Sequence, residues 1–240
     1  MSVNNHKDRG IFEQVTFNKC KMCLNPGTIC GLCIDNNRYE AKDSTGKITA
    51  TVEEDSPFIC RCCCPAAART SKTKITLMGD QQATFFAEKD CKCGYFCPIA
   101  CCHYPELRVT DAAGTTVGIV ALNCYDTMCC KYSMDVYAGD KKTDTQKRFA
   151  LRKCACNCGT LCWTWGVCCK TCGEIPFEVT DTTGSHAADF TKVWAGCWEE
   201  CCQSKDKYQF QYPSESKEDK ALWLATMWFV DQLFFESNGA

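Results

Sequence analysis

"ELRVTDAAGTTVGIV" (Glu106–Val120) is a strand, a turn and a strand written in 15 residues. Val, Ile and Thr fill the two alternating runs, and Asp111 and Gly114 mark the turn between them. Two such runs joined by a short Asp/Gly segment predict a β-hairpin. The same phrase returns along the chain. It reads "RYEAKDSTGKITATV" at Arg38–Val52, "KITLMGDQQATFFA" at Lys74–Ala87, "SMDVYAGDKKTDTQKRFAL" at Ser133–Leu151 and "PFEVTDTTGSHAADFTKVW" at Pro176–Trp194. The turn glycines are Gly46, Gly79, Gly114, Gly139 and Gly184. A hairpin recurring roughly every 35 residues predicts a repetitive architecture. With the strand-like "IFEQVTF" before the first hairpin and "YQFQYP" after the last, the total is about twelve strands. So many antiparallel strands in one domain must curl, split or close, and closure removes the exposed edges.

The character of the chain changes at "KALWLATMWFVDQLFFE" (Lys220–Glu236). This stretch has no Gly or Pro, and its apolar residues cover nearly the whole helical circumference. A helix apolar all round is buried in protein or in lipid. Ala221–Phe235 extends only about 22 Å as a helix, whereas a membrane span needs about 20 apolar residues. Asp231 also lies inside it, and a charge mid-membrane is costly. The stretch therefore reads as a core helix, with the interior of a barrel as one place for it, rather than as a membrane span. Asp231 is expected to be a buried, satisfied carboxylate, paired with a basic group or a Trp N–H.

The fold class read from the residues is mainly β: about twelve antiparallel strands, for which a closed barrel is the edge-free arrangement, and a hydrophobic C-terminal helix. It forms one domain over 1–240, with barrel strands within 11–212 and the helix at 220–236. No linker interrupts the pattern.

Net charge is −2 and the pI is about 6.0, with Lys and Arg scattered. There is no basic stripe of the kind a nucleic-acid partner requires. The opening "MSVNNHKDRG" has no apolar h-region, so a secretory signal is not expected. Cysteine usage is extreme, at 26 of 240 residues. A disulfide scaffold of that density is usually short and exported. Here the thiols come in runs, such as Cys62-Cys63-Cys64 and Cys168-Cys169. Adjacent thiols do not readily meet disulfide geometry. A reducing compartment is the reading that fits.

Three roles for the thiols stay open on residue chemistry. "CKCGYFCPIACC" places Cys91, Cys93, Cys97, Cys101 and Cys102 in one short stretch. Several acyl chains at one point would make a stable lipid anchor, where a single chain is marginal. Alternatively these thiols are small buried hydrophobes of the barrel core. "CRCCCP" (Cys60–Pro65) is a secondary anchor candidate. "CKMCLNPGTICGLC" supplies Cys20, Cys23, Cys30 and Cys33 as two C-x-x-C pairs, a thiolate set that suits tetrahedral zinc. Histidine is scarce (His6, His103, His186), and no P-loop, dinucleotide fingerprint or HExxH motif occurs. No enzyme is predicted.

Several collinear stretches resemble the phospholipid scramblases: "NNRYEAKDSTGK" (36–47), "CPIACC" (97–102), "GEIPFEVTD" (173–181), "ADFTKVWAG" (188–196), "FQYP" (210–213) and "FFESNGA" (234–240). The resemblance runs from about Phe12 to Ala240. It implies a closed twelve-stranded barrel around a central helix, akin to the tubby domain. It also implies calcium-activated, bidirectional, ATP-independent movement of phospholipids between leaflets, with a phospholipid membrane as partner and attachment at the cytoplasmic face. In the family the Cys-rich motif at 91–102 is read as a palmitoylation site, which would make palmitate a covalent cofactor. The family's EF-hand-like segment would fall at 204–215. Its first acidic position is Ser204 here, leaving Asp206 and Glu215 as calcium ligands. Calcium prefers six to eight oxygens with several carboxylates, and Lys205 and Lys207 oppose it, so weakened calcium control is expected. The alternative function is a non-catalytic, acyl-anchored scaffold or structural subunit, using the same barrel with protein partners in a larger assembly.

Overall fold

The computed structural model describes residues 9–15, 36–56, 69–79, 82–90, 104–123, 131–154, 174–194, 196 and 206–235. They form twelve strands: β1 (Gly10–Gln14), β2 (Arg38–Lys42), β3 (Ile48–Asp55), β4 (Ser71–Leu77), β5 (Ala83–Lys89), β6 (Glu106–Asp111), β7 (Thr116–Leu122), β8 (Lys131–Ala138), β9 (Lys147–Cys154), β10 (Ile175–Asp181), β11 (His186–Val193) and β12 (Lys207–Phe210). Each pairs antiparallel with its neighbours in sequence, and β1 closes the ring on β12. Closure by main-chain bonds leaves no strand edge open. The expected architecture is thus the observed one.

Side-chain alternation fixes which face looks inward. On β6, Leu107 and Val109 are buried while Arg108 is exposed; on β10, Phe177 and Val179 are buried while Glu178 is exposed. Three hairpins, β2–β3, β6–β7 and β10–β11, share one turn. Asp43, Asp111 and Asp181 each accept, at Oδ1, the backbone N–H groups two and four residues ahead. The fourth turn residue is Gly46, Gly114 or Gly184, with φ of 85°, 83° and 81°, a region that glycine enters without steric cost. In all three the strand register shifts by one just before the turn.

Because direction alternates strand by strand, the connections alternate between two rims. One rim carries these tight turns. The other carries the six connections that follow β1, β3, β5, β7, β9 and β11.

The helix α1 (Lys217–Val230) starts below β12, at the rim of the tight turns. Ser216 caps it by accepting the Asp219 N–H, and Glu218 and Asp219 lie in its first turn, where the helix dipole favours acids. Every residue from Ala221 to Val230 is buried. A π-helical turn, Asp231–Phe235, continues it toward the opposite rim, where Phe234 stacks on Tyr132 at the start of β8. Fourteen residues rise about 21 Å, close to the height of a seven-residue strand. The helix therefore fills the barrel from rim to rim. Aromatic contacts lock it there: Trp223 meets Phe149 and Phe190 edge-on, with centroids 5.2 and 5.6 Å away.

The helix packs tightly against β7 at Gly118. A Cβ on Gly118 would lie 2.3 Å from the Tyr137 carbonyl oxygen and 2.7 Å from Leu222 Cδ2. Gly118→Ala should therefore destabilise the fold by about 1–3 kcal/mol through overpacking, read as a lower urea midpoint at unchanged m-value. On the outer face, Asp135 accepts from Lys147, Arg152 and Asn123. Burial alone would raise its pKa, but the hydrogen bonds from Lys147 and Arg152 hold it below the ordinary 3.8. Its contribution to stability is complete above that value and is lost as pH falls through the lowered one. Asp135→Asn should flatten the acid limb of a stability-against-pH curve between about pH 5 and 2.

Candidate functional site at the end of the central helix

Asp231, the first residue of the π-helical turn, is 1% exposed. Tyr39 donates its hydroxyl to one carboxylate oxygen and Tyr208 to the other, each at 2.5 Å. Each ring is stacked on a phenylalanine: Tyr39 on Phe12 at 5.1 Å and Tyr208 on Phe190 at 5.4 Å. Aromatic stacking therefore sets the hydroxyl positions, and the hydroxyls fix the helix end. Burial, and then the Asp231 charge, push the Tyr208 phenol well above its usual range, so it stays a donor. The sequence pointed to a basic group or a Trp N–H beside Asp231. The Trp223 and Trp228 N–H groups instead have no hydrogen-bond partner among the described residues. The tyrosine hydroxyls stand at the carboxylate because both tyrosines sit in the inward register of their strands.

Around this point the barrel interior turns polar. Glu54 closes β3 on its inward side and accepts from Ser56, Arg69 and Asn37. Gln14 in turn donates to Asn37 at 2.8 Å. Gln232, one residue beyond Asp231, reaches Glu54 and Ser71 at 3.4 Å each. Across the barrel Lys192 Nζ is 2.6 Å from Asp206, its side chain wholly buried, with its charge 5.8 Å from the Tyr208 ring and 5.4 Å from the Phe235 ring. Buried charges persist only when paired and hydrogen-bonded, and the groups named here are. The cations also face the negative end of the helix dipole, which favours them.

Sequence reasoning did not single out Tyr39, Tyr208, Glu54, Arg69 or Lys192. A signal existed for two of them: Glu54 follows Ala50 and Val52, and Lys192 follows Phe190, in the inward parity of otherwise apolar runs. Of the predicted site residues, Cys91, Cys93, Cys97, Cys101, Cys102, Cys20, Cys23, Cys30 and Cys33 lie outside the described residues. Asp206 and Glu215 lie inside them and are not brought together. Asp206 stands before β12 at the rim opposite the Asp-x-x-Gly turns, bound to Lys192. Glu215 follows β12 at the opposite rim, 81% exposed and paired with Lys220. Extended backbone separates them because β12 crosses the wall of the barrel.

This closed barrel, plugged by a helix whose last turn is tied to the wall through Asp231, sets the frame for comparison with known proteins. The Scramblase family model matches residues 32–237. The chain belongs to the scramblase family. It is 25% identical over 207 residues to phospholipid scramblase 1 of Homo sapiens, covering 85% of this chain and 58% of that one. It is 24% identical over 203 residues to phospholipid scramblase 2 of Bos taurus, covering 84% of this chain and 62% of that one. The chain thus spans somewhat over half the length of these curated scramblases. Among the described residues, no helix is long and apolar enough to cross a membrane.

If Tyr39 and Tyr208 together hold the helix end, Tyr39→Phe and Tyr208→Phe should each cost about 1.5–3 kcal/mol, the range for a buried hydrogen bond to a charged group. The double variant should depart from additivity, because both hydroxyls serve one carboxylate. Urea unfolding of the four proteins of the cycle measures this directly.

Proposed function

We propose that this chain is a scramblase-like, membrane-associated protein that acts on phospholipids by ATP-independent, bidirectional transfer between leaflets, without covalent catalysis. The observation that carries the reading is the match of the scramblase family model to 32–237, which extends over β2 to β12 and the helix. Attachment is through thioester-linked acyl chains on Cys91, Cys93, Cys97, Cys101 and Cys102, at the cytoplasmic face. Stable attachment requires more than one chain, and this stretch offers five thiols. Zinc at Cys20, Cys23, Cys30 and Cys33 is the competing use of the thiols there.

The barrel interior is not the lipid path. Helix α1 occupies it from rim to rim, and the interior beside it is filled by packed side chains. Lipid movement belongs to the outside of the barrel or to the bilayer it perturbs. Calcium control is weak. Asp206 is engaged by a buried lysine and sits at the opposite rim from Glu215, whereas calcium needs several carboxylates converging on one point. The filled interior and the divided carboxylates also favour a second reading, a non-catalytic acyl-anchored scaffold in a larger assembly.

Reconstitution separates the two readings. Vesicles carrying the protein and a fluorescent phospholipid should lose outer- and inner-leaflet signal together on chemical quenching, at a rate that changes little with calcium. Quenching that stops at the outer leaflet with correctly inserted protein would leave the scaffold reading. Intact mass from the native source should fall by whole acyl units on hydroxylamine treatment, and an unmodified mass would remove the anchor.

A further inference from the structure

Two indoles buried on the central helix, Trp223 and Trp228, each hold an N–H with no hydrogen-bond partner among the described residues. The Thr73 hydroxyl, on the inward face of β4 and 1% exposed, is in the same condition. A polar group taken out of water without a partner costs free energy that apolar packing does not return. Such groups are few in a folded chain, and each calls for a cause.

The fold brings two of the three together. Ser71, the first residue of β4, meets Gln232 in the last turn of the helix at 3.4 and 3.5 Å. From that contact both elements lead toward the tight-turn rim, β4 forward along the chain and the helix backward, and the two pack together. On β4 the step from Ser71 to Thr73 keeps to the inward face and covers about 6.6 Å. On the helix the step from Gln232 back to Trp228 covers about 6 Å, and residues four apart share a face. Thr73 and Trp228 therefore stand at one depth on facing surfaces.

The neighbouring strands supply the other walls. On β3 the cross-strand partner of Thr73 is Glu54. Three donors crowd one of its oxygens, Oε1: Ser56, Arg69 and, at 3.4 Å, Gln232. Asn37 reaches Oε2, and a carboxylate oxygen has more than one lone pair to offer. On β5 the partner of Thr73 is Ala87, whose single methyl group leaves width beside the hydroxyl. The hydrogen bonds of Gln232 among the described residues are all long, at 3.4, 3.4 and 3.5 Å, where N–H···O bonds centre near 2.9–3.0 Å. Unpartnered groups and stretched contacts thus fall in the same corner of the barrel.

We propose that this corner, between the helix and β4, is a binding site for one water molecule. The water accepts the Trp228 N–H, shares a hydrogen bond with the Thr73 hydroxyl and donates to Glu54. Three partners meet the two to four that a buried water requires. It joins the helix to the wall a second time, about one turn below the tie at Asp231, and carries the polar layer inward along β4. Trp223 supplies the contrast. Its ring lies edge-on to Phe149 and Phe190, and apolar neighbours give a water nothing to hold, so its N–H stays dry.

The test is water-selective NMR on the full chain labelled with 15N-tryptophan, the two indoles being assigned with Trp223→Phe and Trp228→Phe. The Trp228 indole proton should show cross-relaxation with a long-lived bound water, and the Trp223 proton none. Thr73→Val keeps the side-chain shape and removes the hydroxyl, so the Trp228 signal should be lost. No water contact at Trp228, equal contact at both indoles, or an unchanged signal in Thr73→Val overturns the site. A crystal structure of the unmutated chain reads the same point without a substitution. A water within hydrogen-bond reach of both Trp228 Nε1 and Thr73 Oγ1 is the expected result. A direct bond between the two side chains, or a dry contact, overturns the proposal.

Discussion

The structure depends on enclosing one helix. Ala221–Val230 is buried over its whole circumference, so it has no face to offer water and no single sheet could cover it. Only a wall that surrounds it satisfies that constraint. A closed ring of strands does so while pairing the strands along their length. The dependence runs both ways. A twelve-stranded ring leaves an interior too wide for its own inward side chains to fill, and the helix supplies the missing volume. Gly118 shows how tight the fit is, since even one methyl group there meets backbone and Leu222 together.

Enclosure raises the question of how the two ends of the core are finished. At the tight-turn rim the helix begins with a capped, acidic first turn in contact with water. At the other rim its carbonyl end lies within the barrel. The polar layer of Asp231, Glu54, Gln232 and the Lys192–Asp206 pair meets that end. Tyr39 and Tyr208 matter because, with Gln232, they join helix to wall by hydrogen bonds where apolar packing gives way to the polar layer. Their rings belong to the aromatic core and their hydroxyls to the polar layer.

The same axis orders the two ends of the barrel. One end has short Asp-x-x-Gly turns with their own internal hydrogen bonds. The other end carries the buried polar layer that ties the helix to the wall.

Much of this was legible in the residues. Alternation and turn chemistry located five hairpins and two flanking strands, and the uniform apolarity of Ala221–Phe235 marked the core helix, because both patterns follow from local geometry. The candidate site was legible only at Asp231. Its partners Tyr39 and Tyr208 lie 192 and 23 residues away in sequence, and nothing local records which inward tyrosine meets which turn of the helix. Asp206 and Glu215 made a plausible pair as neighbours in sequence, and β12 separated them by crossing the wall. The closure of the ring shows the division most clearly. The strands themselves are properties of the sequence, but the pairing of β1 with β12 is not, because the two lie at opposite ends of the chain and only the tertiary structure brings them into register.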